Sequence, residues 1–223
     1  MSSKHLQNQL SAIIPGARLE ITPLPEIPNL KLLLMNGDYP QGELDAAAVE
    51  RVMDNPLYWV FCWASGRVLA RHIQAFPDCV ADRRVLDFGC GSGVVAIAAA
   101  QAGAKEVIAC DIDPLALQAT AYNAELNRVC LTLSDDFHQV PGQLDMIIAA
   151  DVLYDRENMH WLARFADRAE QVLLADSRIK HFSHPSFTRL ERRVSATLPD
   201  LDESEEFRQV NIYLGGRGNP SAY

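Results

Sequence analysis

Nine residues constrain this chain more than any others: Val85-Leu86-Asp87-Phe88-Gly89-Cys90-Gly91-Ser92-Gly93. An apolar, partly β-branched run ends in three glycines at alternate positions. Val94-Val95-Ala96-Ile97-Ala98-Ala99-Ala100 follows at once. This is the pattern of a strand that turns sharply into a helix. Glycine adopts positive φ without penalty and lets a ligand come close to the main chain. The start of a helix leaves backbone N–H groups without helical partners. The expectation is a loop whose free N–H groups face a nucleotide-type cofactor at the carboxyl end of a parallel strand.

From residue 84 onward the pattern is regular. Strand-like runs at 84–88, 106–111, 129–133, 144–149, 171–176 and 207–214 alternate with helical stretches after the glycine turn and at 114–127, 157–169 and 185–197. Such alternation predicts a parallel sheet covered on both faces. The chain before it is less regular. A helix is expected over 4–14, strands over 19–21 and 30–35 around Pro23, Pro25 and Pro28, and a helix over 44–53 with Leu44, Ala48 and Val52 on one face. The division expected is an N-terminal extension over 1–55, packed on a main domain over 56–223. Residues 56–66 are dense in aromatics. They read as core, except that Trp63 or its neighbours could wall a cofactor site.

Composition narrows the partners. The net charge is −9 and the pI about 5.1, which disfavours nucleic acid and suits a cationic acceptor such as a lysine side chain. The five cysteines are scattered, with no Cys-x-x-Cys pair. They read as reduced thiols of a cytoplasmic protein, with no metal site. No secretion signal or membrane-length apolar run is evident, and a monomer is expected.

The strand ends carry acids in succession: Asp87 in the first strand, then Asp111, Asp135 and Asp136, Asp151, and Asp176. A nicotinamide cofactor calls for Gly-x-Gly-x-x-Gly, so that its pyrophosphate rests on a helix N-terminus. Here Val94 stands where the third glycine belongs. The pattern Gly89-x-Gly91-x-Gly93, preceded by Asp87, favours S-adenosylmethionine, a cofactor without phosphate whose ammonium group carboxylates can meet. Asp111 is placed to accept from the ribose hydroxyls. Asp135 or Asp136 could accept from the adenine amino group, with Phe137 or Ile112 against the ring. For Asp113, helix capping is the preferred reading.

The span 58–214 resembles the class I S-adenosylmethionine-dependent methyltransferases, most closely the seven-β-strand lysine methyltransferases of the family-16, nicotinamide N-methyltransferase-like group. The resemblance is carried by Tyr58-Trp59-Val60-Phe61-Cys62-Trp63, Val85 to Gly93, Asp111-Ile112-Asp113-Pro114, Asn123-Ala124-Glu125-Leu126-Asn127, Asp151-Val152-Leu153-Tyr154-Asp155 and Leu174-Ala175-Asp176-Ser177-Arg178. It implies a Rossmann-like α/β fold: seven mostly parallel strands, helices on both faces and an antiparallel last strand. It also implies cofactor contacts at Trp63, Gly89 and Asp111, extending to Ala150 at the end of the fourth strand. Asp151 and Tyr154 match the Asp-x-x-Tyr signature beside the transferable methyl and the incoming amine. The acceptor implied is a protein lysine, with the electron-transfer flavoprotein β-subunit as the nearest case.

Asp151 is expected to steer the lysine ammonium and Tyr154 to align its lone pair. A carboxylate raises an amine's pKa, so proton loss to water before final docking is preferred over Asp151 as a base. The strand-four motif lacks the proline pair of amide and nucleobase methyltransferases. A ribosomal-protein or small-amine methyltransferase remains an alternative, as does a non-catalytic cofactor-binding module.

Overall fold

The computed structural model describes residues 3–40, 46–153, 156–179 and 182–216. Its centre is a seven-stranded sheet of β3 (Arg84–Phe88), β4 (Glu106–Cys110), β5 (Thr132–Ser134), β6 (Leu144–Ala150), β7 (Ala169–Asp176), β8 (Phe187–Val194) and β9 (Gln209–Gly216), in the order β5-β4-β3-β6-β7-β9-β8. All pairings among β3 to β7 are parallel, and β9 runs antiparallel to both β7 and β8. The last strand alone is therefore reversed. The central strands are apolar almost end to end because helices cover both faces. α3 (Ala64–Ala75) and α4 (Val94–Gln101) pack together on one face, while α6 (Trp161–Arg168) contributes Leu162 and Phe165 to the core of the other.

One element departs from expectation. Residues 185–197 were expected to be helical. They form β8 instead. Leu190 and Val194 are 40% and 65% exposed, so they line no buried helical stripe. Pairing with β9 decides the matter. Arg189, Arg192 and Arg193 and a register irregularity between Arg189 and Glu191 mark β8 as a protected edge strand.

The N-terminal region comprises α1 (Ser3–Ile13), a hairpin of β1 (Leu19–Pro23) and β2 (Lys31–Met35), and α2 (Ala46–Asp54). Leu44 lies outside the described residues. Strand β2 is buried on both faces: Leu32 and Leu34 enter the cluster with α3 and α4, and Leu33 and Met35 enter a second cluster with Leu6 and Leu10 of α1 and Ala116 and Ala119 of α5 (Pro114–Leu126). Trp59, fully buried, belongs to the second cluster, as the core reading of the aromatic run expects. Among the described residues, no helix is long and apolar enough to cross a membrane.

Candidate functional site

The sheet order reverses between β3 and β6. There, at the carboxyl ends of the strands, lies a cavity of about 1140 Å³, as expected at the switch point of an open α/β sheet. Phe88 and Gly89, Cys110 and Asp111, and Ala150 and Asp151 reach it from the ends of β3, β4 and β6. Gln9 and Ile13 of α1 and the segment after α2 close one side. The volume slightly exceeds the usual range for one ligand, about 300–1,000 Å³.

The glycine loop does not behave as expected of a phosphate cradle. The N–H groups of Gly89 and Cys90 donate to the Cys110 carbonyl at 2.8 and 3.1 Å, and that of Gly93 to the Cys90 carbonyl at 2.7 Å. The Gly91 N–H donates to Asp111 Oδ2 at 2.9 Å. These four donors are spent inside the protein. The glycines serve geometry instead. Gly91 has φ +52° and opens onto the cavity, and a Cβ there would meet nothing within 4 Å. Gly93, at φ +80°, caps α4 behind the loop; a Cβ on it would come within 2.9 Å of Thr120. Gly93 does not line the cavity, so its expected cofactor contact gives way to packing of the loop against α5.

Asp111 is the acid best placed. Oδ2 takes the Gly91 N–H, and Oδ1 takes the Asp113 N–H at 3.0 Å. Two backbone donors fix the carboxylate at the cavity wall, and each oxygen keeps acceptor capacity. Burial raises its pKa, opposed by those backbone donors. Ile112 beside it is 89% exposed on the cavity rim, an apolar surface suited to a flat ring. Asp113 caps α5, accepting from the Leu115 N–H at 2.8 Å, as expected.

Asp87 is corrected. It is 2% exposed and absent from the cavity wall, and its Oδ2 accepts from the Ala96 N–H of α4 at 2.9 Å. Burial, with a contribution from Asp111, pushes its pKa up to about 7. Its place is behind the loop, tying strand to helix. Asp135 and Asp136 both line the cavity, but Asp136 is engaged by His138 N–H at 2.8 Å and Gln139 Nε2 at 3.2 Å, whereas Asp135 is exposed. Of the two, Asp135 better suits a ligand's donor. Phe137 is 4% exposed in an aromatic cluster with Phe88, Trp161 and Phe165, so it lines the cavity with little open surface.

Asp151 lies across the cavity in the left-handed region, at φ +52°. Its Oδ1 accepts from Ser65 Oγ at 2.7 Å, Ser177 N–H at 3.0 Å and Ser177 Oγ at 2.9 Å, and its Oδ2 from Ser65 N–H at 3.3 Å. The carboxylate joins the end of β6, the start of α3 and the turn after β7. Its foremost duty in this arrangement is to hold three segments together, a use the signature motif did not disclose. Tyr154 lies outside the described residues. Trp63 is a half-buried residue of the cavity wall: its Nε1 donates to the Tyr58 carbonyl at 3.0 Å, and its ring packs edge-on against Phe61 at 5.4 Å.

Sequence reading passed over Arg178 as a site residue. It lines the cavity with its guanidinium 5.9 Å from the Trp63 ring and 4.3 Å from the Phe207 ring, and it is ion-paired with Glu203. Its position two residues after the acid ending β7 was the available signal. Asp176 itself turns away from the cavity and accepts from the Arg178 and Ile179 N–H groups, both at 2.7 Å.

The fold has counterparts among known proteins. Residues 72–174 match the family model described as ribosomal protein L11 methyltransferase (PrmA). Over 160 residues the chain is 37% identical to the electron transfer flavoprotein beta subunit lysine methyltransferase of Danio rerio, covering 67% of this chain and 62% of that protein. The chain thus spans about three fifths of this relative's length. Among solved structures, a ribosomal protein L11 methylase from Lactobacillus delbrueckii subsp. bulgaricus aligns with TM-score 0.51 at 22% identity, over 69% of this chain and 79% of that one. Magnesium protoporphyrin IX methyltransferase from Synechocystis PCC 6803 with bound SAM aligns with TM-score 0.53 at 21% identity, over 69% and 82%. The chain therefore has the fold of the class I methyltransferases, and its sequence is similar to methyltransferases that carry proteins as acceptors in their names.

Proposed function

We propose that this chain is an S-adenosylmethionine-dependent N-methyltransferase whose acceptor is a protein lysine, with the electron-transfer flavoprotein β-subunit as the first candidate. The observation that carries the cofactor reading is the closed glycine loop. Four of its N–H groups are satisfied internally, so a pyrophosphate would meet few donors there. The cavity instead offers the Asp111 carboxylate, the exposed Asp135 and the apolar Ile112, groups suited to hydroxyls, an amino group and a ring. Similarity to the flavoprotein lysine methyltransferase supports the acceptor class. Residues 1–55 belong to the proposal as the part that selects the acceptor, since α1 supplies a wall of the cavity.

When bound, S-adenosylmethionine supplies a methyl carbon already activated by its sulfonium, and transfer to an amine then depends on an in-line approach. In the chain, Asp111 and Asp135 hold the nucleoside end and Ile112 covers its ring. The Asp151 junction fixes the opposite wall, formed by Ala150, Trp63 and Arg178, where an acceptor side chain enters. A lysine, with a reference pKa near 10.4, must lose its proton before it attacks.

The test is transfer of a radiolabelled methyl group to purified electron-transfer flavoprotein and, in parallel, to a cell lysate. Label in the β-subunit, lost when its lysines are replaced by arginine, supports the full proposal. Label confined to a ribosomal protein or a small amine would leave the cofactor reading standing and overturn the acceptor.

A further inference from the structure

Helix α5 carries a buried polar row on its inner face. Thr120 and Asn123 are both fully buried, an uncommon state for such side chains. Thr120 Oγ1 donates to the Gly91 carbonyl at 3.0 Å. Asn123 uses both ends of its amide: Nδ2 donates to the Ser92 carbonyl at 2.9 Å, and Oδ1 accepts from the Leu33 N–H of β2 at 2.7 Å. One turn on, Asn127 accepts from the Lys31 N–H at 3.0 Å and donates to the Lys31 carbonyl at 2.6 Å.

The spacing has a physical origin. Strand β2 pairs with β1 along one edge only. Its other edge turns Lys31 and Leu33 toward α5, where no strand can complete the ladder. Residues four apart on a helix rise by about 6 Å, and alternate residues of a strand by about 6.6 Å. Two asparagines at that helical spacing therefore replace the missing strand. Asn123 does more than close an edge, because its other end grips the glycine loop.

We propose that Asn123 is a positioning residue through which the N-terminal hairpin and the glycine loop hold each other in place. Seating a ligand against the loop and seating the hairpin then stabilise one another. The inference rests on the cofactor reading above for its choice of ligand. Both contacts of Asn123 are made by one planar amide, so displacing Ser92 moves the acceptor offered to Leu33. The hairpin is in turn packed with α1, whose Gln9 and Ile13 wall the cavity. Coupling of this kind is reciprocal: a ligand that fixes the loop must tighten the hairpin by the same factor by which the hairpin tightens the ligand.

The experiment is hydrogen exchange of the full chain with and without S-adenosylhomocysteine, alongside calorimetric binding. In the wild type, ligand is expected to slow exchange at residues 31–35 about as much as at 89–93. Asn123→Ala removes the donor to Ser92 and the acceptor for Leu33 together. It is expected to bind about tenfold more weakly, the effect of the one buried hydrogen bond to the loop. At saturating ligand it keeps protection of the loop and loses the added protection of the hairpin, a change that weakened packing alone would not produce. Asn127→Ala, which touches Lys31 and not the loop, is a second variant should the first fail to fold; it is expected to speed hairpin exchange and weaken binding severalfold. Ligand that protects the wild-type loop and leaves residues 31–35 unchanged overturns the coupling. Absence of binding to the wild type overturns the cofactor reading, and the coupling with it.

Discussion

At the scale of single residues, the aspartates divide by what their oxygens already hold. Asp111 and Asp135 keep capacity toward the cavity, while Asp87 and Asp176 look inward. Position along the chain could not separate them, because all of them end or neighbour strands; only burial and partners do. Asp87 yields a prediction of its own. Its folded pKa of about 7 lies above the ordinary 3.8. The folded protein thus keeps a proton that the unfolded chain releases as pH rises from about 4 to 7, and stability falls across that window. The loss is bounded at roughly 4 kcal/mol by the size of the shift. Asp176, pushed up to about 6 by burial and by Asp151, acts in the same direction. Thermal unfolding of Asp87→Asn between pH 5 and 8 is expected to show a flatter pH profile than the wild type; an unchanged slope would refute the assignment. Asp151→Ala removes the acceptor of four hydrogen bonds at the three-segment junction. It is expected to abolish methyl transfer and cost about 2 kcal/mol of stability. S-adenosylhomocysteine binding, which the proposal assigns to Asp111, should persist, and retained turnover would remove Asp151 from the mechanism.

At the scale of elements, most of the architecture was legible because central parallel strands are apolar on both faces and so announce themselves. β3, β4, β6 and β7 fall where their runs of Val, Leu, Ile and Ala place them. The edge strand β8 was not legible. Its exposed, arginine-rich face erases strand alternation, and only its partner β9 reveals it. The glycine loop was legible as a turn and misleading as a set of donors, since three of its N–H groups are consumed by Cys110 and Asp111 at the end of β4, a separate element, and the fourth by the loop's own Cys90 carbonyl. Gly93 was legible as a glycine that had to be one, though for a reason other than ligand contact. Gly93→Ala would place a Cβ 2.9 Å from Thr120 at φ +80°, costing about 2 kcal/mol. For a chain of this size that lowers Tm by roughly 4–8 °C, readable by calorimetry. A Tm within a degree of the wild type would show that α5 yields at Thr120.

At the scale of the whole molecule, the N-terminal region is part of the core, as β2 contributes to two of the main apolar clusters. Its proline-rich sequence disguised this, because Leu30 to Met35 reads equally as a surface hairpin until α3, α4 and α5 are set around it. The result is one cavity shared by both parts of the chain, with Asp111 and Asp135 on one wall and Trp63 and Arg178 on another. The claim on which the rest depends is that this cavity takes S-adenosylmethionine through Asp111 and does not take a dinucleotide on the glycine loop. Calorimetric titration of the wild type and Asp111→Ala with S-adenosylhomocysteine and with NADH tests it most directly. The account predicts saturable binding of S-adenosylhomocysteine at one site per chain, its loss in Asp111→Ala, and no heat of binding from NADH. Saturable NADH binding, or S-adenosylhomocysteine binding indifferent to Asp111, would contradict it.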